Sequence, residues 1–364
     1  MGVGDIVALA GFIAGALAVP AAWLAYRGTR QERKTEEFRR HFAEIQNGQV
    51  ELGRAAWMHT VPEWKSGEFP LLVKPGWISD HPYDLSEIVV DWHEPQGSHA
   101  VVDRTLREAR AVVAPLRLGA NAGYSEVLVY ETRLAARNNP SRALNGAYRK
   151  RLGDPFEFQR RVVSLGISTL TFRVTPERVG FYVHLRQRTK VAKDASFLSA
   201  VPSGEFTPAD ATLESLRSDC DLWRNIMREY AEEFLGDNDA LGASGRPVNY
   251  ATDSPYRELD QARTSGLLQV KVLAVGLDPL SWKPEILTTC IIDGAFFDDV
   301  FSELVRTNAE GDLHVGINGH GFTFDEATVR MYVAESNAAP SLRAALSLAW
   351  QHRDELGLNR PPAG

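Results

Sequence analysis

Glu229, Glu232 and Glu233 place three carboxylates within little more than one helical turn. Read at helical period, Trp223, Ile226, Met227, Tyr230 and Phe234 fall on one apolar stripe. Like charges crowded on one face repel each other, so the pattern points to a cation that neutralises them. A hard divalent ion with oxygen ligands suits such a set, and Mg²⁺ (or Mn²⁺) is the natural choice where phosphates are the substrate. Arg228 precedes the cluster and is placed to pin it by a charge-assisted hydrogen bond. Ser218 with Asp221 reads as a capping-box-like start, and Gly236 stands where a glycine closes a helix. The plainer reading of the same residues is a surface helix with a solvated acidic face.

The order Arg-Glu-x-x-Glu-Glu-x-x-Gly over 228–236 resembles the second half of the Nudix box. The resemblance implies an α/β/α sandwich with a mixed sheet and hydrolysis of a nucleoside diphosphate linked to another moiety. Carried over by position, it makes Glu229, Glu232 and Glu233 the metal ligands and Arg228 the residue that orients them. The family's closing glycine comes one residue earlier, where this chain has Leu235. The family also wants a glutamate and a glycine upstream, and those positions hold Cys220 and Glu214. Gly204 looks like the family glycine, displaced by an insertion over roughly residues 207–217. A degenerate box of this kind leaves an alternative, a Nudix-like nucleotide sensor that binds without cleaving. A structural module on a membrane anchor is a third reading.

The elements that must position the helix are legible on both sides of it. Thr169–Val174 and Gly180–Leu185 alternate polar and apolar residues across a short loop and predict a hairpin. Arg186, Arg188, Lys190 and Lys193 come next, a basic run suited to gripping substrate phosphates. Phe197–Val201 predicts a strand leading to Gly204. Downstream, Tyr256–Ala262 predicts a helix and Leu267–Val275 a strand. Ile286–Asp293 is apolar enough for a strand in mid-sheet. Helices are expected over Ala295–Arg306, Glu326–Tyr332 and Ser341–Arg353, the last opened by Pro340. Gly316–Gly321 reads as a turn. A general base is still required, and Asp293, Asp298, Asp299, Glu303 and Glu310 are its candidates.

Upstream, residues 60–85 carry loop chemistry rich in Pro, Gly and Asp. Strands are expected at Glu87–Trp92 and Ser125–Tyr130, and helices at Arg104–Ala114 and Arg142–Arg151. His81, His93 and His99 match no metal spacing. Ile6 to Tyr26 runs without a charge, long enough to cross the hydrocarbon layer as a helix of roughly 20 residues. Trp23 and Tyr26 sit where interfacial aromatics belong, and Arg27, Arg30, Arg33 and Lys34 place the rest of the chain in the cytoplasm. The expected organisation is a single-pass cell-membrane anchor (1–26), a juxtamembrane helical stalk (27–60), an N-terminal α/β extension of the globular part (61–160), a Nudix-like domain (161–358) and a tail (359–364).

Composition excludes several classes. A net charge of −7 over 364 residues argues against a general nucleic-acid binder. Cys220 and Cys290 are the sole cysteines, so there is neither a disulfide framework nor a zinc spacing. A Gly-x-Ser-x-Gly elbow and a Gly-rich phosphate loop are both absent.

Overall fold

The computed structural model describes residues 49–88, 100–103, 110–113, 128, 132, 142–158, 165–187, 196–209, 218–237, 248–305, 311–314, 316 and 319–359. The apolar run 6–26, the stalk up to 48, the histidines 93 and 99, Arg188, Lys190, Lys193, Glu310 and the tail beyond 359 lie outside them. No helix among the described residues is long and apolar enough to cross a membrane. Gly48–Gly364 form one compact unit.

In chain order the elements are α1 (Gln49–His59), β1 (Ile78–Asp84), β2 (Ala100–Asp103), β3 (Arg110–Val113), α2 (Ala147–Leu152), β4 (Gly166–Val174), β5 (Val179–Phe181), β6 (Val183–Gln187), β7 (Ser196–Ala200) and β8 (Ser203–Glu205). The chain continues with α3 (Leu222–Leu235), α4 (Tyr256–Ser265), β9 (Leu268–Leu277), β10 (Pro284–Asp293), α5 (Gly294–Val300), β11 (Gly311–His314), β12 (Phe322–Thr323), α6 (Glu326–Ala334) and α7 (Pro340–Gln351). The main sheet runs β1-β9-β10-β4-β5-β12, with β8 also paired to β4. β10 and β4 are parallel and the remaining pairs antiparallel, so this is a mixed sheet in a mixed α/β fold.

Side-chain alternation along the central strands divides the core in two. Ile167 of β4 and Ile286, Cys290 and Ile292 of β10 join the cluster that holds Trp223, Ile226, Met227, Tyr230 and Phe234 of α3. Leu170, Phe172 and Leu287 face the other way, into Leu342, Ala345, Leu346 and Ala349 of α7. Helices therefore cover both faces, and β10, flanked by β9 and β4, is apolar on both. In β9 the pairing slips between Leu287 and Thr288, which oppose Ala274 and Val272. The extra residue switches parity, so Val270 and Val272 before it and Val275 and Leu277 after it reach the same side.

The helix that carries the glutamates is bounded by cap chemistry. Asp221, rather than Ser218, is its N-cap, accepting from the Arg224 amide at 3.0 Å. Gly236 closes it in the left-handed region at φ 69°, and the Asp237 amide donates to the Ala231 carbonyl at 2.9 Å. The Asp221→Ala variant is expected to lose about 1 kcal/mol of stability, read from the urea midpoint; an unchanged midpoint would show that packing alone sets this helix end.

Several upstream expectations are overturned. Arg110–Val113 is a strand paired antiparallel with Ala100–Asp103, because adjacent Val pairs on both segments suit a ladder better than a helix. Leu128 and Thr132 are helical, and the Thr132 hydroxyl donates to the Leu128 carbonyl one turn back at 2.7 Å. The start of the strand expected at Glu87 is a 3-10 turn over Leu85–Glu87, closed by a capping box on Asp84. The expected loop chemistry of 60–85 hides the edge strand β1. The helix after β10 stops at Val300 instead of Arg306, since the chain turns so that the Val305 amide can donate to the Phe234 carbonyl at 2.8 Å. That bond satisfies one of the orphan carbonyls of α3.

Candidate active site

The apolar stripe of α3 fixes its roll against the sheet. Tyr230 is fully buried and its hydroxyl meets the Thr171 hydroxyl of β4 at 2.7 Å, while Thr171 donates to the Val201 carbonyl, also at 2.7 Å. The Cys290 thiol of β10 is hydrogen-bonded to Tyr230, and burial pushes it up to about 12. A thiol held in that form is no nucleophile.

With the stripe seated, Glu229 arrives over β8. Strand β8 pairs with β4 so that Gly204 stands opposite Ile167. A Cβ at Gly204 would come within 1.9–2.2 Å of the Glu229 carboxyl group, so no side chain fits between strand and carboxylate. The glycine and the acidic helix, joined in sequence by inference alone, are in contact in the fold. The Asn225 side-chain amide donates weakly to Glu229 at 3.4 Å. Glu229 and Glu232 are both half-buried.

Glu233 has a different environment. It is 1% exposed, and its carboxylate accepts from the Arg186 guanidinium at 2.5 Å and from the Ser203 amide at 3.3 Å. The ring nitrogen Nδ1 of buried His184 stands 3.8 Å away. Arg186, expected to reach for phosphate, thus binds Glu233 and also donates to the Ser203 carbonyl. β6 delivers both residues because the chain leaves the main sheet after β5 and enters a small antiparallel sheet in the order β11-β6-β7. His184 escaped the sequence reading, although the alternation of β6 signals it. Val183 and Leu185 pack against the α7-side core, which turns the residue between them towards α3.

Arg228 points away from the glutamates into a buried knot. It is 3% exposed and donates to the Thr207 carbonyl and the Tyr250 hydroxyl, with the Asp219 carboxylate 3.5 Å away. Asp219 also accepts from the Ala209 amide at 2.8 Å and the Tyr250 hydroxyl at 3.0 Å. Burial pushes the Tyr250 phenol up to about 12, which keeps it a donor at neutral pH. Arg228 therefore ties together the two ends of the inserted segment and the loop after α3. Asp219 and Tyr250 carry no motif that would have marked them.

Of the candidate bases, Asp293 caps α5 through the Ala295 and Phe296 amides. Asp298 forms a two-pronged ion pair with Arg173 at 2.8 and 2.5 Å, which holds its carboxyl below the usual range. Both have structural employment. Among the described residues no group of three or more His, Cys, Asp or Glu side chains is placed to hold a metal ion. The donor chemistry of α3 still fits a hard cation, since Mg²⁺ is commonly held by one or two carboxylates plus substrate phosphate oxygens rather than a full protein cage. Glu229 and Glu232 supply such a pair on adjacent positions of one helical face.

No protein-family model matches the chain, and no curated protein compared with it is similar.

Proposed function

We propose that the chain is a Nudix-type hydrolase that cleaves a nucleoside diphosphate linked to another moiety with a divalent metal. The contact between Gly204 and Glu229 carries the reading, because it joins in space the two pieces of the box that the insertion separates. Glu229 and Glu232 would hold Mg²⁺ or Mn²⁺, which when bound neutralises the diphosphate and activates a water. Glu233, neutralised by Arg186, braces β6 and β8 beneath them. Arg228 positions α3 relative to the strand-to-helix connection. In this reading residues 6–26 tether the globular part to the cytoplasmic face of the cell membrane.

A second reading is favoured by one observation. Glu233 is committed to Arg186 and Ser203, and an acid so committed suits a Nudix-like sensor that binds a nucleotide without turning it over.

Incubating the full chain with a panel of nucleoside diphosphate derivatives, with and without Mg²⁺, tests both. Hydrolysis is expected with Mg²⁺ alone among these conditions, and Glu232→Gln should reduce kcat by about 10²–10³-fold. Heat stabilisation by a nucleotide with no turnover selects the sensor. Neither effect with any member of the panel would sink both readings.

A further inference from the structure

A second concavity lies away from the acidic helix, between α1, the turn at residues 66–70 and α7. Its volume is about 710 Å³, well inside the range of small-molecule pockets. Trp57, Phe69, Ile78, Val333 and Leu348 supply apolar wall, and Arg54 and Arg343 supply charge. It opens on the α7 side of the sheet, where Leu348 and Val333 belong to the core that faces away from α3. A ligand here would therefore not share the site of the glutamates.

Two features of the lining call for an occupant. The first is charge. Arg343 is half-buried and its Nε donates to the Val333 carbonyl at 2.7 Å. Burial, with Arg54 adding to it, lowers its hold on the proton. Half-buried Arg343 and Arg54, exposed at the mouth, thus share one cavity, and neither makes an ion pair among the described residues; Glu68 at the rim is exposed as well. The Trp57 indole is already satisfied by the Phe69 carbonyl at 2.9 Å, and the Ser347 hydroxyl by the Arg343 carbonyl at 2.8 Å. The guanidiniums are left as the polar groups suited to fixing a ligand's orientation.

The second feature is Gly53. It lies in the middle of α1 and lines the cavity. Glycine there is less favourable than alanine, because it loses more backbone freedom on entering a helix. Sterics do not demand it, since a Cβ would meet nothing within 4 Å. Its effect is to leave the volume open.

We propose that this cavity binds a small organic anion, a carboxylate or phosphate monoester on an apolar body. The anionic head sits at Arg54 and Arg343, and the body lies against Trp57 and Phe69.

The test is equilibrium dialysis of radiolabelled octanoate against the full chain in lipid nanodiscs, with empty nanodiscs giving the lipid background. One saturable equivalent per chain is expected, displaced by octyl phosphate and not by octan-1-ol. Arg343→Gln should weaken binding on the order of tenfold or more, as loss of a charged hydrogen-bond partner does. Gly53→Phe should abolish it while the melting temperature is kept, which separates a filled cavity from a damaged fold. No saturable binding of either anion overturns the proposal. So does binding that both variants leave unchanged, or displacement by octan-1-ol as effective as by octyl phosphate. Loss of hydrolysis in the nucleotide panel leaves this result untouched, because the two sites use different residues.

Discussion

Arg228→Ala is expected to lower the unfolding free energy by about 3–5 kcal/mol, the usual consequence of removing one member of a buried ion pair. Asp219 is the reason. Its side chain is 4% exposed, and the guanidinium 3.5 Å away is the cation that balances it. The alanine variant also strips partners from the Thr207 carbonyl and the Tyr250 hydroxyl. Arg228→Lys should recover little, since one ammonium cannot reproduce a fork that spans three groups. The measurement is a urea titration, with the midpoint falling at unchanged slope. A loss below about 1 kcal/mol would mean that Asp219 is solvated and that the knot contributes little. Pairing Arg228→Ala with Asp219→Asn in a double-mutant cycle isolates the ion pair from the rest.

Gly204→Ala is expected to act in the opposite way, on function with the fold kept. The new methyl would overlap the Glu229 carboxyl at 1.9–2.2 Å, and the atom in its way is the end of a flexible side chain. Glu229 can swing outward, so stability should move by less than about 1 kcal/mol. The carboxylate does not survive in place. Misplacement of a reacting group by about 1 Å costs roughly 10²-fold, so kcat for the nucleotide substrate should fall by that order. Should the chain prove a sensor, the same variant should weaken nucleotide-dependent heat stabilisation. Full activity in Gly204→Ala would remove Glu229 from the set of metal ligands.

How much of this was legible in the sequence depends on the range of the interaction that decides each element. α3 was readable because its stripe, its closing Gly236 and its acidic turn all lie within one segment, although its N-cap is Asp221 and not the expected Ser218. β10 was readable as a mid-sheet strand because burial on both faces leaves a mainly apolar run, Ile286–Ile292, interrupted by Thr288 and Thr289 alone. β1 was not. Ile-Ser-Asp-His-Pro-Tyr-Asp looks like turn chemistry, yet it forms the sheet edge, where Pro82 deprives no inner strand of a donor and the pairing slips between Ile78 and Tyr83. Arg110–Val113 failed for a related reason, since helical periodicity over a short span is easily imitated by a hairpin arm. Within the site, Gly204 stood out in the sequence only by its likeness to a family glycine, and its contact with Glu229 is visible only once β8 pairs with β4. The pairing of Arg186 with Glu233 was not legible, because it depends on β6 leaving the main sheet, which no local pattern announces. The partners of Arg228 come from three separate loops and were equally hidden.

The parallel pairing of β4 with β10 has a consequence for how the molecule is made. Glu285 lies opposite Gly166, and every residue of α3 falls between them in the chain. The strand that backs the acidic helix is therefore synthesised long after the helix itself. Closing so long a loop is entropically slow, and until Pro284–Asp293 emerges β4 presents a bare apolar edge open to other chains. Aggregation during expression should thus track the delay before that strand appears, and a chain cut short of residue 284 is the form expected to precipitate.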